Sequence, residues 1–428
     1  SAPLKPNSLP VRFTSGQLGL YAQDSWSPNP YLTLNMGLRA DVPFWADQPE
    51  YAPEVIQDFG PQSIPDFQVL LSPRFGFNWD ATRDGVNQVR GGVGIFTGTP
   101  AYVWLSNFFQ QSGQGLGILS CGQGSANPVP QVPQRFDAAN PVLACGNGAT
   151  IGPGASLGEV NLIEPGTKFP QVLRANLAWD RRLSDSWVAS IEGTFTKGVN
   201  DIVTVQRNLA APIAQTGQGG RVLYGTLNAN GTTTPNYVNL TRYGPSFSSG
   251  VLELRNASSS LAWSMTGQLR RRFRDGLEGS IAYTYSEAYD AQSFTSSRGT
   301  SNWRFGRVNS GRDDVFERTR SSFDRPHRLV ANMTYSFPWE RYPTDISVTY
   351  VGQSGQPYTL TTAGSSGRGD LNRDGHNGND PIYIPTSATD PNEITFVASG
   401  SITAATQAQA FEEYISGEAC LNRQRGQI

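Results

Sequence analysis

Long uninterrupted apolar runs are missing from this 428-residue chain. No stretch approaches the ~18 uncharged apolar residues that a membrane-spanning helix requires, so helical spans are excluded. Histidine is scarce, with only His327 and His376, and cysteine stops at three. A zinc site or a Ser-His-Asp triad therefore has little material, no catalytic residue can be nominated, and the chain is expected not to be an enzyme. An excess of one charge is also missing. Thirty-three Lys and Arg stand against 35 Asp and Glu, a net charge of −2, which offers no basic face to nucleic acid. Ser1-Ala2-Pro3-Leu4 has no charged segment followed by an apolar one, so no signal peptide is visible.

Glycine and proline are abundant, at 46 and 29 residues, whereas only 37% of the chain is hydrophobic. A soluble chain of this length would hold two or more domains, since single cores stop growing near ~250–300 residues. The composition suits a turn-rich, extended, all-β chain and argues against long helices.

Period-2 alternation gives the organisation. Leu32, Leu34, Met36, Leu38 and Ala40 share one face, with Thr33, Asn35, Arg39 and Asp41 on the other. Phe75, Phe77 and Trp79 oppose Arg74, Asn78 and Asp80 in the same way, and Leu173, Ala175, Leu177 and Trp179 oppose Arg174, Asn176 and Asp180. The pattern returns at Trp187, Ala189, Ile191 and Phe195, at Leu261, Trp263, Met265 and Leu269, and at Leu329, Ala331, Met333, Tyr335 and Phe337. About ten strands are expected, near 15–26, 31–41, 67–80, 88–97, 171–181, 187–197, 257–273, 277–289, 326–337 and 344–360. Gly91-Gly92-Val93-Gly94 falls on one of them and lacks the third glycine of a dinucleotide loop, so close strand packing is its reading. Glu253, Arg255, Arg270, Arg272, Glu278 and Arg328 read as lumen or rim charges.

Connections alternate in length. Short turns sit at 28–30, 81–87, 182–186, 274–276 and 338–343, and long polar loops lie near 42–66, 98–170, 198–256, 290–325 and 361–428. Such asymmetry marks transmembrane barrels, whose turns are short on one side and long on the other. A strand of ~11 residues, rising ~3.3 Å each and tilted ~40°, climbs about 28 Å, close to the hydrocarbon thickness. Trp26, Trp79, Trp179, Trp187 and Trp339 lie within a few residues of short turns, as rings do at a membrane interface. The expected fold is thus an all-β, transmembrane, antiparallel up-and-down β-barrel, closed because an open edge cannot face lipid.

Two further features concern the loops. Cys121 and Cys145 lie in one Gly/Pro/Asn-rich stretch, where a disulfide would fit an oxidising compartment, the alternative being unrelated thiols. Asp370-Leu371-Asn372-Arg373-Asp374-Gly375-His376-Asn377-Gly378-Asn379-Asp380 places oxygen side chains at positions 1, 3 and 5 and Gly at position 6, the spacing that wraps a hard cation such as Ca²⁺. Asp370, Asn372 and Asp374 would be ligands, with the His376 carbonyl. Position 12 is Pro381 where an EF-hand carries a bidentate Glu, so Asp380 or water would close the shell. The alternative is an Asx-rich turn.

Several runs together resemble a known family. Leu20-Tyr21-Ala22-Gln23-Asp24-Ser25-Trp26, Gly37-Leu38-Arg39, Leu71-Ser72-Pro73-Arg74-Phe75-Gly76-Phe77-Asn78-Trp79-Asp80 and Arg90-Gly91-Gly92-Val93-Gly94-Ile95-Phe96 look like the barrel of TonB-dependent outer-membrane receptors. Phe323-Asp324-Arg325-Pro326-His327-Arg328, Gly352-Gln353-Ser354-Gly355-Gln356-Pro357-Tyr358 and residues 370–385 look like the Oar-like branch. The resemblance implies a Gram-negative outer membrane, a barrel of about 22 strands and a plug that engages TonB. Residues 1–428 would supply the barrel portion, without the plug. It also implies a partner for Cys420 in sequence beyond these residues. The partners so implied are outer-membrane lipid, TonB through the missing plug, and an unidentified transported ligand. A non-transporting surface or envelope-assembly protein and a passive pore are the alternatives.

Overall fold

A computed structural model of the chain describes residues 2–3, 12–99, 102–114, 116–117, 144–148, 158–216, 219–245, 247–274, 276–306, 315–361 and 369–428. Ten long strands make one wall. They are β1 (Ser15–Asn29), β2 (Leu32–Trp45), β3 (Leu70–Asp80), β4 (Asn87–Thr97) and β5 (Gln171–Arg182). The wall continues through β6 (Trp187–Gly198), β7 (Leu261–Arg274), β8 (Leu277–Asp290), β9 (His327–Phe337) and β10 (Thr344–Gln353). Each pairs antiparallel with its neighbours in chain order, leaving β1 and β10 at the two edges of an open sheet among the described residues.

Register carries the alternation across the whole wall. Met36 faces Phe75, Phe75 faces Val93, and Val93 faces Ala175. Leu177 then faces Gly193, Gly193 faces Met265, and Met265 faces Tyr285. Met333 faces Val348 at the far side. Every one of these side chains lies on a single face, because a strand turns alternate residues to opposite sides. That face is bare: Leu177 is 58% exposed and Val348 59%. Small residues sit where neighbours are bulky, and a Cβ on Gly91 would come within 2.9 Å of both the Phe77 ring and the Asn176 carbonyl. The five Trp near short turns are also exposed.

All the long connections emerge from the opposite end, and they fold into a cap. It contains α1 (Pro53–Phe59), α2 (Tyr102–Gln110), α3 (Gly299–Arg304), α4 (Ala404–Gly417) and α5 (Ala419–Asn422). The longest of these helices has 14 residues and begins at Thr403, whose side chain accepts from the Thr406 N–H. Beyond β6 and β7 the hairpin resumes as the cap strands Asp201–Gln206 and Val251–Ala257, and Val160–Ile163 adds in parallel to the second. The interruption is built by Asp201, whose carboxylate accepts from the N–H groups of Ser259 and Ser260 at 3.1 and 2.7 Å. Gly198 makes room for it, since a Cβ there would collide with the Asp201 carboxylate. The sequence expectation of a continuous strand from 257 is corrected by this break, and β10 ends at Gln353 rather than 360 because Gly355 and Pro357 stop pairing.

The cap has cores of its own. Tyr51, Ala52, Val55, Val160, Leu162, Leu240, Phe247 and Val251 form one, and Trp45, Ile64, Leu70, Leu105, Phe108, Ile163 and Phe169 a second. Tyr51 donates its hydroxyl to the Asn161 carbonyl at 2.7 Å, and its burial pushes that hydroxyl's pKa up. Glu253, expected at a lumen or rim, is instead buried in the cap sheet, paired with Arg207 at 2.8 Å and Arg255 at 2.7 Å. A buried carboxylate needs those partners to offset its lost hydration.

Candidate functional site

Two arrangements offer chemistry, and the first is the polar face of the wall. Gln17 and Arg39 both donate to Asp41, at 3.0 Å from Gln17 Nε2 and 2.8 Å from Arg39 Nη2. Gln88 donates to Asn78 at 2.7 Å. Arg90 on β4 reaches Asp180 on β5 at 2.9 Å and Glu192 on β6 at 3.0 Å, fastening three strands with one guanidinium. Thr266 and Thr284 join β7 to β8 at 2.9 Å, Ser280 donates to Asn332 across β8 and β9 at 3.1 Å, and Thr334 meets Ser347 across β9 and β10 at 2.9 Å. Such a surface is wettable and mixed in charge, interrupted by the row in which Val330 faces Ala282 and Val351. It can line an aqueous path; each exposed pair adds only ~0–1 kcal/mol of stability.

The second arrangement is the 370–380 loop. Asp370 Oδ1 accepts from the Asp374 N–H at 2.9 Å and its Oδ2 from the Gly375 N–H at 3.0 Å. Asp374 Oδ1 accepts from the His376 N–H at 2.7 Å, while its Oδ2 takes Asn372 Nδ2 at 3.1 Å. Asp380 Oδ2 accepts from the N–H groups of Leu371 and Asn372 at 2.7 and 3.2 Å. Gly375 has φ +95°, the left-handed turn that position 6 requires. The spacing therefore brings Asp370, Asn372, Asp374 and Asp380 together, all buried. Burial, with Asp380 and Asp370 adding repulsion, pushes Asp374 up to about 8, and burial pushes Asp380 up to about 6. The His376 ring goes elsewhere: it packs edge-on against Trp303 with centroids 4.7 Å apart, and burial lowers its pKa to about 4.

Residues that sequence reasoning did not associate with this loop hold it from a distance. Tyr224 N–H donates to the Asn372 carbonyl at 2.8 Å, Thr233 hydroxyl donates to Asp370, and Arg221 lies 3.4 Å from Asp380. Asn379 was visible only as one member of the polar run; its amide sits 3.4 Å from Asp374. Nothing in the sequence ties Arg221 or Thr233 to a loop some 140–160 residues later. Of the cysteines, Cys121 lies outside the described residues, so the pairing expected with the buried Cys145 falls outside them too; Cys420 is exposed as a free thiol on α5.

No match among curated proteins reaches significance. Among solved structures the chain is similar to the siderophore receptor PirA from Pseudomonas aeruginosa, at 16% identity over 79% of this chain and 40% of that one, with a TM-score of 0.36. It is similar to a variant of the ferric enterobactin receptor PfeA from Pseudomonas aeruginosa, at 15% identity over 80% and 33%, TM-score 0.41. The outer membrane transporter YddB from Escherichia coli gives 11% identity over 75% and 31%, TM-score 0.41. The chain spans about a third to two fifths of the length of these structures. A family profile described as outer membrane beta barrel domain matches residues 4–427. With that match running through all ten strands of a wall that is apolar on one face and polar on the other, the chain belongs to the outer membrane beta barrel domain family, and its place is the Gram-negative outer membrane.

Proposed function

We propose that the chain is the barrel portion of a TonB-dependent outer-membrane receptor, of the Oar-like branch, that takes up a ligand too large or scarce for a passive pore. The observation that carries this reading is an open wall under a built cap. Each unpaired N–H and C=O along the edges β1 and β10 would cost several kcal/mol in hydrocarbon. In this reading further strands pair with those edges. Closing a wall of ten strands this way moves the barrel toward sizes at which lumens are aqueous channels or need a plug. The cap would capture the ligand, and the polar rows that include Arg90, Asp180 and Glu192 would pass it. A plug and a TonB-engaging segment outside these residues would gate the lumen and couple it to inner-membrane energy.

The test is the intact mass of the protein extracted from its native outer membrane. A mass about twice 46.4 kDa or more is expected, leaving room for plug and closing strands. A mass of 46.4 kDa would contradict the receptor reading and favour a passive pore or an envelope-assembly role.

A further inference from the structure

The 370–380 loop belongs to the cap and is not needed for the uptake reading. Its three carboxylates, Asp370, Asp374 and Asp380, are 4%, 0% and 0% exposed, and the one salt bridge to them among the described residues is the 3.4 Å contact from Arg221 to Asp380. Carboxyls this deep stay ionised only with more positive charge than one guanidinium that also donates to the Pro381 carbonyl, and otherwise take up a proton.

Asn379 supplies the independent observation. Its side chain is 2% exposed, its amide nitrogen lies against Asp374 Oδ2, and its Oδ1 is buried with no hydrogen-bond partner. Buried acceptors are rarely left unpaired. A half-turn of the amide exchanges nitrogen and oxygen at nearly unchanged shape. That rotation would set an oxygen, in place of the amide N–H, against the Asp374 carboxylate. Two oxygens so placed are held together by a shared cation or by a proton on the carboxyl.

The donor chemistry selects the ion. Every donor in reach is an oxygen, the imidazole of His376 being packed on Trp303. Hard oxygen donors in a flexible, mixed shell suit Ca²⁺ over zinc or copper, and over Mg²⁺, which demands near-ideal octahedral geometry.

We propose that this loop binds one Ca²⁺ through side-chain oxygens of Asp370, Asn372, Asp374, Asn379 and Asp380, and that the ion fastens the segment after β10 to the β6–β7 loop. The second half follows from the contacts already made there by Arg221, Tyr224 and Thr233. Tyr237 adds to them, donating its hydroxyl to the Asp374 carbonyl at 3.4 Å.

The experiment is calorimetry and thermal melting of the protein purified from its outer membrane, stripped with chelator and titrated with CaCl₂ or MgCl₂. One Ca²⁺ per chain is expected, with a Kd of about 10⁻³ M or tighter, in the range of extracellular calcium modules. Ca²⁺ should also raise the melting temperature and slow proteolysis of the cap, and Mg²⁺ should bind at least about tenfold more weakly. Asp374→Asn should weaken Ca²⁺ binding at least about tenfold, as should Asn379→Ala, whereas Asn379→Asp, which keeps an oxygen at that place, should retain it. If Asp374→Asn fails to fold, the two Asn379 variants still decide the matter. Absence of any Ca²⁺ response at about 5 mM would overturn the proposal. So would an equal response to Mg²⁺, or undiminished binding by Asn379→Ala.

Discussion

Leu177 and Leu162 are the same residue in opposite circumstances. Leu177, on the wall, is 58% exposed, while Leu162, in the cap, is fully buried among Tyr51, Val55 and Val251. The wall turns its hydrocarbon outward and its charges to the other face; the cap does the reverse, as any water-soluble fold must. The difference lies in the solvent. Lipid accepts Leu, Met and Phe directly, so the wall needs no apolar core of its own, only backbone pairing and alternation. The cap is surrounded by water and is held by buried side chains and satisfied polar groups.

The largest expected effect comes from emptying a cap core. Leu162→Ala should cost about 2–5 kcal/mol by denaturant titration, read from cap tryptophan fluorescence, because it leaves a cavity. Leu177→Ala should cost far less in a bilayer, where lipid fills the space. Equal costs would break the comparison. Next comes Leu177→Arg, which should cost about 2–4 kcal/mol in refolding into lipid vesicles if the residue is near the midplane. A surface substitution in water stays within about 0.5 kcal/mol, so a value that small would put the wall in water.

Asn208 tests the polar side of the cap. Fully buried, it donates from Nδ2 to the Phe247 carbonyl at 2.7 Å and accepts at Oδ1 from the Val251 N–H at 2.9 Å. Asn208→Ala strands both main-chain groups and should cost about 1–3 kcal/mol by the same titration. The smallest effect is at Glu412, which Arg425 and the Ala388 N–H hold below the usual carboxylate range. Since its pKa is lower folded than unfolded, its contribution is full above the ordinary glutamate pKa and is lost as pH falls through the folded one. Melting of the C-terminal part of the cap should weaken on acidification in the wild type and less so in Glu412→Gln, by under about 1 kcal/mol.

The wall was legible in the sequence almost strand by strand. Phe75, Phe77 and Trp79 against Arg74, Asn78 and Asp80 announce β3 because lipid tolerates no polar residue on one face and water welcomes them on the other. The cap was not legible. Its sheet is built from pieces as short as Val160–Ile163, too brief for a period, and its cores join Tyr51 to Val160 and Val251 across long stretches of chain. α4 escaped a reading that weighed glycine and proline over the whole chain, although Thr403 and the alanines after it form a local start signal. In the 370–380 loop the spacing of Asp370, Asn372 and Asp374 was visible, but its anchors Arg221, Thr233 and Tyr237 come from another loop and leave no local trace.

The central claim is that the wall has one lipid face and one aqueous face. Nitroxide labels on single cysteines along β5, replacing Leu173, Ala175 and Leu177 or Arg174 and Asn176, would test it in the intact protein in its native outer membrane. The account predicts period-2 behaviour, with high accessibility to oxygen at the first three positions and to a water-soluble nickel complex at the others. Equal access of the nickel complex to both sets would contradict it.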